Sequence, residues 1–301
     1  MLYGIIDVGS NTIRLNIYSY NDQKVQSLLH KKTMAGLAGY VTDGYLSKNG
    51  IKIACHALND YKNILLNFNI NNIYAFATAS LRNIINTDEV VRNIFEKTGL
   101  SIDVIPGEEE AKLGYHGAAV HSSIDTGLFI DIGGGSTELV SFENRQITRA
   151  VSLPIGSLSM YSKHVKKLFP KKAEIEEISQ TVLQELHKLG KNHHQKYKSI
   201  CGVGGTIRAA KKLHDNLFPE QSDQPLQAEH IQTLLHYLHK ADKKMLRRVL
   251  QTIPDRIHTI VPGLIILHLI AEHYGSQTIT VSPFGVREGY LYTKVIKEGC
   301  T

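Results

Sequence analysis

Residues 5–15, IIDVGSNTIRL, and residues 129–139, FIDIGGGSTEL, are two versions of one pattern: an apolar run ending in Asp, a glycine-containing turn, and a second apolar run. Asp7, Gly9 and Leu15 match Asp131, Gly133 and Leu139 at one constant spacing. Self-similarity of this kind marks a duplicated structural unit. Each copy opens the same series of elements. LYGIIDV, TIRLNIYSY and KVQSLLHKK read as three strands joined by tight turns, and GLFIDI, TELVSF and QITRAVSL repeat the arrangement.

After each three-strand meander the apolar spacing becomes helical and then returns to short strands. These are NIYAFAT and LSIDVI in the first half, YKSICGV and QTITVS in the second. Ser47 precedes a helical pattern over 48–67, Thr87 with Asp88 and Glu89 opens a helix that stops at Gly99, and a further amphipathic helix begins at 172. Each half is therefore α/β. With 301 residues there is chain for two domains of about 150 residues each. The boundary is expected near 120, where the helix from 107 gives way to HSSIDTG, giving domains 1–120 and 121–301. The last helix, from 287 to 299, can pack on either.

Composition narrows the setting. The longest apolar stretch, residues 260–271, is too short to span a bilayer and contains Pro262 and His268. No membrane partner is expected. The N-terminus reads as a first strand and not as a leader. Cys55, Cys201 and Cys300 are odd in number and scattered, which fits a reducing cytoplasm better than a disulfide scaffold. Of the net charge of +6, the basic share lies in residues 151–260, which hold 18 Lys and Arg against 10 Asp and Glu. Such a field attracts a polyanion, or it is a set of solvated helix faces. The tyrosines are dispersed and form no stacking platform, so no specific nucleic-acid partner is expected.

The chemistry concentrates at the turns. Gly133, Gly134, Gly135 and Ser136 place several backbone N–H groups where an anion can approach without a Cβ in the way. Asp131 ends the incoming strand and Glu138 begins the outgoing one, so both carboxylates could face the turn and hold a divalent cation beside a phosphate. No Walker loop is present, and CGVGGTIRAA at 201–210 lacks the third glycine of a dinucleotide fingerprint. It still sets Gly204, Gly205 and Thr206 between a strand and a helix, where helix N-terminal amides can receive a phosphate. Glu108, Glu109 and Glu110 suit a first helical turn by the macrodipole alone; beside phosphate-holding turns, one of them could be a general base. His193 with His194, and His236 with His239, have spacings that could suit a metal, yet no carboxylate or cysteine set accompanies them, and no zinc site is assigned.

Taken together, DVGSNTIRL at 7–15, ATASLRN at 77–83, GEEEA at 107–111, DIGGGSTEL at 131–139, LPIGS at 153–157, GVGGT at 202–206, VPG at 261–263 and REG at 287–289 resemble the exopolyphosphatase and guanosine pentaphosphate phosphohydrolase (Ppx/GppA) family, within the actin, sugar kinase and Hsp70 superfamily. The resemblance runs nearly the whole length. It implies an α/β architecture of two ribonuclease-H-like domains flanking a cleft, each turn supplying half of a phosphate clamp. It implies that Glu110 is the catalytic glutamate, with Glu109 beside it, and that Asp131 and Glu138 hold Mg²⁺ or Mn²⁺. Ser10, Asn11, Arg14, Arg82, Gly133 to Ser136, Gly204, Gly205, Thr206 and Arg256 match positions along the phosphate path. Pro283 stands where some relatives carry Asp, and no role is assigned there.

Larger relatives carry further helical C-terminal domains, and this chain resembles a short two-domain form. Shorter polyphosphates or guanosine penta- and tetraphosphates are the expected ligands, and a homodimer rests on family analogy. Two other readings share the fold: a small-molecule kinase, and a sensor that binds polyphosphate or alarmone without turnover.

Overall fold

The computed structural model of the chain describes residues 1–21, 24–120, 122–190, 195–240 and 242–296. His193, His194 and Cys300 lie outside these residues. Two compact units divide between Gly107 and Glu108.

In the first unit, β1 (Leu2–Val8), β2 (Ile13–Asn21) and β3 (Lys24–Thr33) form the expected antiparallel meander. A two-stranded ribbon, β4 (Val41–Thr42) with β5 (Tyr45–Leu46), leads into α1 (Lys48–Asn67). The side chain of Ser47 accepts the amide of Gly50 at 3.3 Å and starts that helix, as its sequence position predicts. β6 (Ile73–Ala77), α2 (Ala79–Arg82), α3 (Thr87–Thr98) and β7 (Ile102–Val104) follow, and β6 and β7 add in parallel to give the sheet order β3-β2-β1-β6-β7. Thr87 is the first residue of α3 and not its cap. Its hydroxyl donates to the carbonyls of Leu81 and Ile84, and Asn86 stands at the cap position. Gly99 ends α3 at φ 68°, a left-handed conformation that favours glycine. One core joins the sheet to α1 and α3 through residues such as Ile6, Leu15, Leu58 and Ile94.

The second unit opens with α4 (Gly107–Ala119) and repeats the pattern: β8 (Gly127–Ile132), β9 (Thr137–Glu143) and β10 (Gln146–Leu153) as a meander, then α5 (Ser157–His164), α6 (Lys172–Lys188), β11 (Ser199–Val203), α7 (Gly204–Leu217), β12 (Leu226–Gln227), α8 (Ala228–His239), α9 (Lys243–Thr252), α10 (Ile260–Tyr274), β13 (Thr278–Val281) and α11 (Val286–Tyr290). A π-helical segment, Leu291–Ile296, continues α11. The sheet order is β10-β9-β8-β11-β13-β12, the order of the first unit with one short strand added. Both sheets have the ribonuclease-H-like arrangement.

Alternation along β8 separates the two faces of this sheet. Leu128, Ile130 and Ile132 point into a large core with α6, α7, α8 and α10, whereas Phe129 joins Val140, Phe142, Cys201 and Val203 under α4. Ala111, Tyr115 and Ala118 of α4 are buried in that second cluster. This packing corrects the expected boundary at 120. The helix assigned to the first domain covers a face of the second sheet, which would otherwise be bare. The C-terminal helix belongs to this unit too. A Cβ on Gly289 would stand 1.8 Å from the carbonyl oxygen of Leu113, and one on Gly117 would stand 2.0 Å from that of Gly285. α4 and α11 therefore touch main chain to main chain.

No helix among the described residues is long and apolar enough to cross a membrane.

Candidate active site

The register of the second sheet sets a row of side chains across four strands. Asp131 pairs with Val203 on one side and Glu138 on the other, and Glu138 pairs with Ser152. Because Asp131 lies two residues from Phe129, and Glu138 two from Val140, both carboxylates occupy the α4 face. Gly114 rests on the Phe129 ring, where a Cβ would come within 2.8 Å of Cζ, and Glu110 lies one helical turn earlier on the same face of α4. Three carboxylates are thereby gathered from a helix and two strands.

Their electrostatics follow from burial. Glu138 is 2% exposed and Glu110 9%. Burial pushes the Glu138 carboxyl well above the ordinary carboxylate range, the charges of Glu110 and Asp131 push it further, and hydrogen bonds from Ser136 and Ser152 only partly offset this. Ser152 Oγ donates to Glu138 Oε1 at 2.7 Å.

The glycine turn is braced from behind. The amide of Gly133 donates to the Ser136 carbonyl at 2.9 Å and closes the turn. The carbonyls of Gly133 and Gly134 accept the amides of Ser157, Leu158 and Ser159 at the start of α5. Gly156 makes that approach possible, since a Cβ there would stand 2.4 Å from the Gly134 oxygen.

α7 starts against the same row. Gly204 has φ 86°, and its added Cβ would meet Asp131 Oδ1 at 2.2 Å. At Gly205 it would meet a guanidinium nitrogen of Arg256 at 2.0 Å, so Arg256, from a 3₁₀ turn at Pro254–Arg256, lies against the first residues of α7. Thr206 Oγ1 donates to the Ile132 carbonyl at 3.2 Å, which leaves its main chain, and not its hydroxyl proton, for a ligand.

Glu110, Asp131, Glu138, Gly133 to Ser136, Gly204, Gly205, Thr206 and Arg256 all belong to the second unit. Glu109, one residue before Glu110, pairs with Lys294, Nζ to Oε1 at 2.5 Å. Ser10, Asn11, Arg14 and Arg82 belong to the first. There the amide of Gly9 donates to Thr12 at 3.1 Å, and the carbonyls of Ser10 and Asn11 accept from Ala38 and Gly36 at 2.9 Å, so this turn too is braced by the segment that follows its meander. Arg14 stands across from Asp7 and approaches it at 3.5 Å, and Arg82 donates to the Ile105 carbonyl at 3.0 Å. Ser152 and Lys294 are additions to the sequence reading. Ser152 is out of reach of simple counting from the Asn144–Arg145 turn, which sets Val151 opposite Glu138, because an irregularity between Ile147 and Arg149 shifts the register by one; nothing in the sequence points to Lys294.

The donor set bears on a metal. Among the described residues, no group of three or more His, Cys, Asp or Glu side chains forms a ready-made cage. Two carboxylates opposed on neighbouring strands, one of them buried beside like charge, suit a hard cation that takes one or two protein oxygens and completes its shell with water and phosphate. Mg²⁺ is such an ion.

A family model described as the Ppx/GppA phosphatase family matches residues 16–298. A Haemophilus influenzae protein named "Putative exopolyphosphatase" is 27% identical over 293 residues, covering 96% of this chain and 90% of that one. The crystal structure of a Ppx/GppA family member from Aquifex aeolicus superposes with a TM-score of 0.80 at 26% identity, over 99% of this chain and 98% of the other. An exopolyphosphatase from Cytophaga hutchinsonii has the same fold, with a TM-score of 0.87 at 22% identity and the same coverage.

Proposed function

The chain belongs to the Ppx/GppA phosphatase family, and from that premise we propose that it hydrolyses the terminal phosphoanhydride of inorganic polyphosphate, of guanosine pentaphosphate, or of both. The observation that carries this reading is the gathering of Glu110 with Asp131 and Glu138 beside a glycine turn whose carbonyls are turned back into the protein. Glu110 is the proposed general base. It sits on a helix first turn among like charges, and Glu138 is the member of the cluster driven toward its protonated form. From that position Glu110 is proposed to take a proton from an attacking water.

Phosphoryl transfer asks the protein mainly for positioning and for positive charge on the equatorial oxygens. The main-chain N–H groups of Gly134 to Ser136 and of Gly204 to Thr206, with Arg256, are the proposed donors in the second unit; the Gly133 amide is committed to closing the turn. Ser10, Asn11, Arg14 and Arg82 are the proposed phosphate-binding residues of the first. Asp131 and Glu138 would hold Mg²⁺ or Mn²⁺, which when bound supplies positive charge to phosphoryl oxygens.

The test is phosphate release, with Mg²⁺, from short polyphosphate, long polyphosphate and pppGpp in parallel. Glu110→Gln should lower the rate by roughly 10²- to 10⁴-fold. A variant that keeps the wild-type rate would remove Glu110 from the role of base, and the fastest substrate names the preferred chain.

A further inference from the structure

The three consecutive glutamates at the start of α4 have three separate surroundings. Glu108 is on the outer side and pairs with Lys112 of its own helix at 2.6 Å. Glu110 is turned to the sheet, beside Glu138. Glu109 reaches to the π-helical segment after α11, where Lys294 Nζ lies 2.5 Å from its Oε1. Successive residues of a helix project about 100° apart, so the direction taken by Glu109 fixes the direction taken by Glu110. We infer that Glu109 is a positioning residue, anchored by Lys294, and that this pair sets the rotation of the turn that presents Glu110.

The rest of α4 is held in the same manner by other means. Near its middle, Gly117 and Gly289 bring the backbones of α4 and α11 into contact. At its C-terminal end the Arg145 guanidinium donates to the carbonyls of Ala119 and Ser122 at 2.8 and 2.9 Å, and Tyr115 donates to the Arg145 carbonyl at 3.0 Å. At the first turn, the Glu109–Lys294 ion pair ties α4 to the segment after α11. The Glu109 and Lys294 side chains are 34% and 32% exposed, so the pair adds little to overall stability. Its effect is on direction. Where a reacting group must be placed within an ångström, a small rotation costs rate without costing fold.

The kinetic arm of the test rests on the phosphohydrolase reading; a second arm does not. The variants are Glu109→Lys, Lys294→Glu and the double exchange of the two. Each single change should lower kcat on the order of tenfold with KM unchanged, and the exchange should restore most of the loss. In the free protein, hydrogen exchange of the amides of residues 111–114, which donate to the first-turn carbonyls of α4, should quicken in each single variant and slow again in the double. An exchange variant as inactive as Glu110→Gln, or single variants with wild-type kcat, would overturn the inference. If the wild-type protein releases no phosphate from any substrate, the phosphohydrolase reading fails by itself. Amide exchange then decides the pair: restored protection in the double variant supports it, and unchanged protection in the singles refutes it.

Discussion

Glu138 stands across the β8–β9 ladder from Asp131, where the first unit sets Arg14 across from Asp7. The two rows occupy matching positions of a duplicated meander and carry opposite electrostatics. Asp7 has a cation within 3.5 Å. Asp131 faces a second carboxylate that burial and like charge push toward protonation. The first row pairs a carboxylate with a guanidinium, and the second sets two carboxylates opposite each other.

The pH dependence of stability should show this imbalance. Between the ordinary carboxyl value of 4.5 and its raised value in the fold, Glu138 keeps a proton that the unfolded chain has lost. Stability from this group is therefore complete below the ordinary value and falls as pH climbs through the raised one. Glu138→Gln keeps an acceptor for Ser152 and has no proton to lose. In chelator, thermal unfolding followed from pH 4 to 8 should show a downward slope in the wild type that is reduced in the variant, and Mg²⁺ should flatten the wild-type curve. Parallel curves in chelator would refute this account.

Gly204 and Gly205 should respond differently to alanine, although they are neighbours. At Gly204 the positive φ and the Asp131 carboxylate both oppose a Cβ, and Gly204→Ala should cost about 1 to 3 kcal/mol in stability. At Gly205 the obstacle is the tip of the long Arg256 side chain, which can move aside. Gly205→Ala should leave stability within about 0.5 kcal/mol but raise KM about tenfold, the equivalent of one charge-assisted hydrogen bond. Denaturant melts and phosphate-release kinetics on both variants separate the two effects.

Gly289→Ala meets a different obstacle, the main chain of Leu113, which cannot rotate away. A loss of about 3 kcal/mol is expected in urea denaturation, at the upper end for an overpacked contact. A loss under about 0.5 kcal/mol, the size of an ordinary surface substitution, would mean that α11 moves off α4 easily.

Much of this is legible in the sequence. The paired turns and the meanders follow from alternating apolar residues and glycines, which are local signals, whereas the ribonuclease-H-like order is what the resemblance of the motifs to a known family implies. The two-stranded ribbon at Val41–Leu46 and the short β12 carry too few residues for a pattern. The ownership of α4 is ambiguous in the sequence for a physical reason. An apolar helix face made of Ala111, Tyr115 and Ala118 reads the same whichever sheet it covers, and only the ring of Phe129 beneath Gly114 decides the matter. Asp131 and Glu138 could be paired by counting from the turn. The Lys294 contact could not be found that way, because a distant pair of side chains leaves no period in the sequence.

The glycine contact between α4 and α11 also has a mechanical meaning. With no side chain between the two backbones, it has no soft layer to absorb a tilt, and it serves as a fulcrum. From Gly117 to Glu110 the helix rises about 10 Å at 1.5 Å per residue. A swing of about 5° about that point would carry the glutamate roughly 0.9 Å, a displacement of the size that costs about a hundredfold in rate when a reacting group is misplaced. The accuracy of the first turn thus depends on how still two glycines are kept two helical turns away, as well as on the ion pair that sets its rotation.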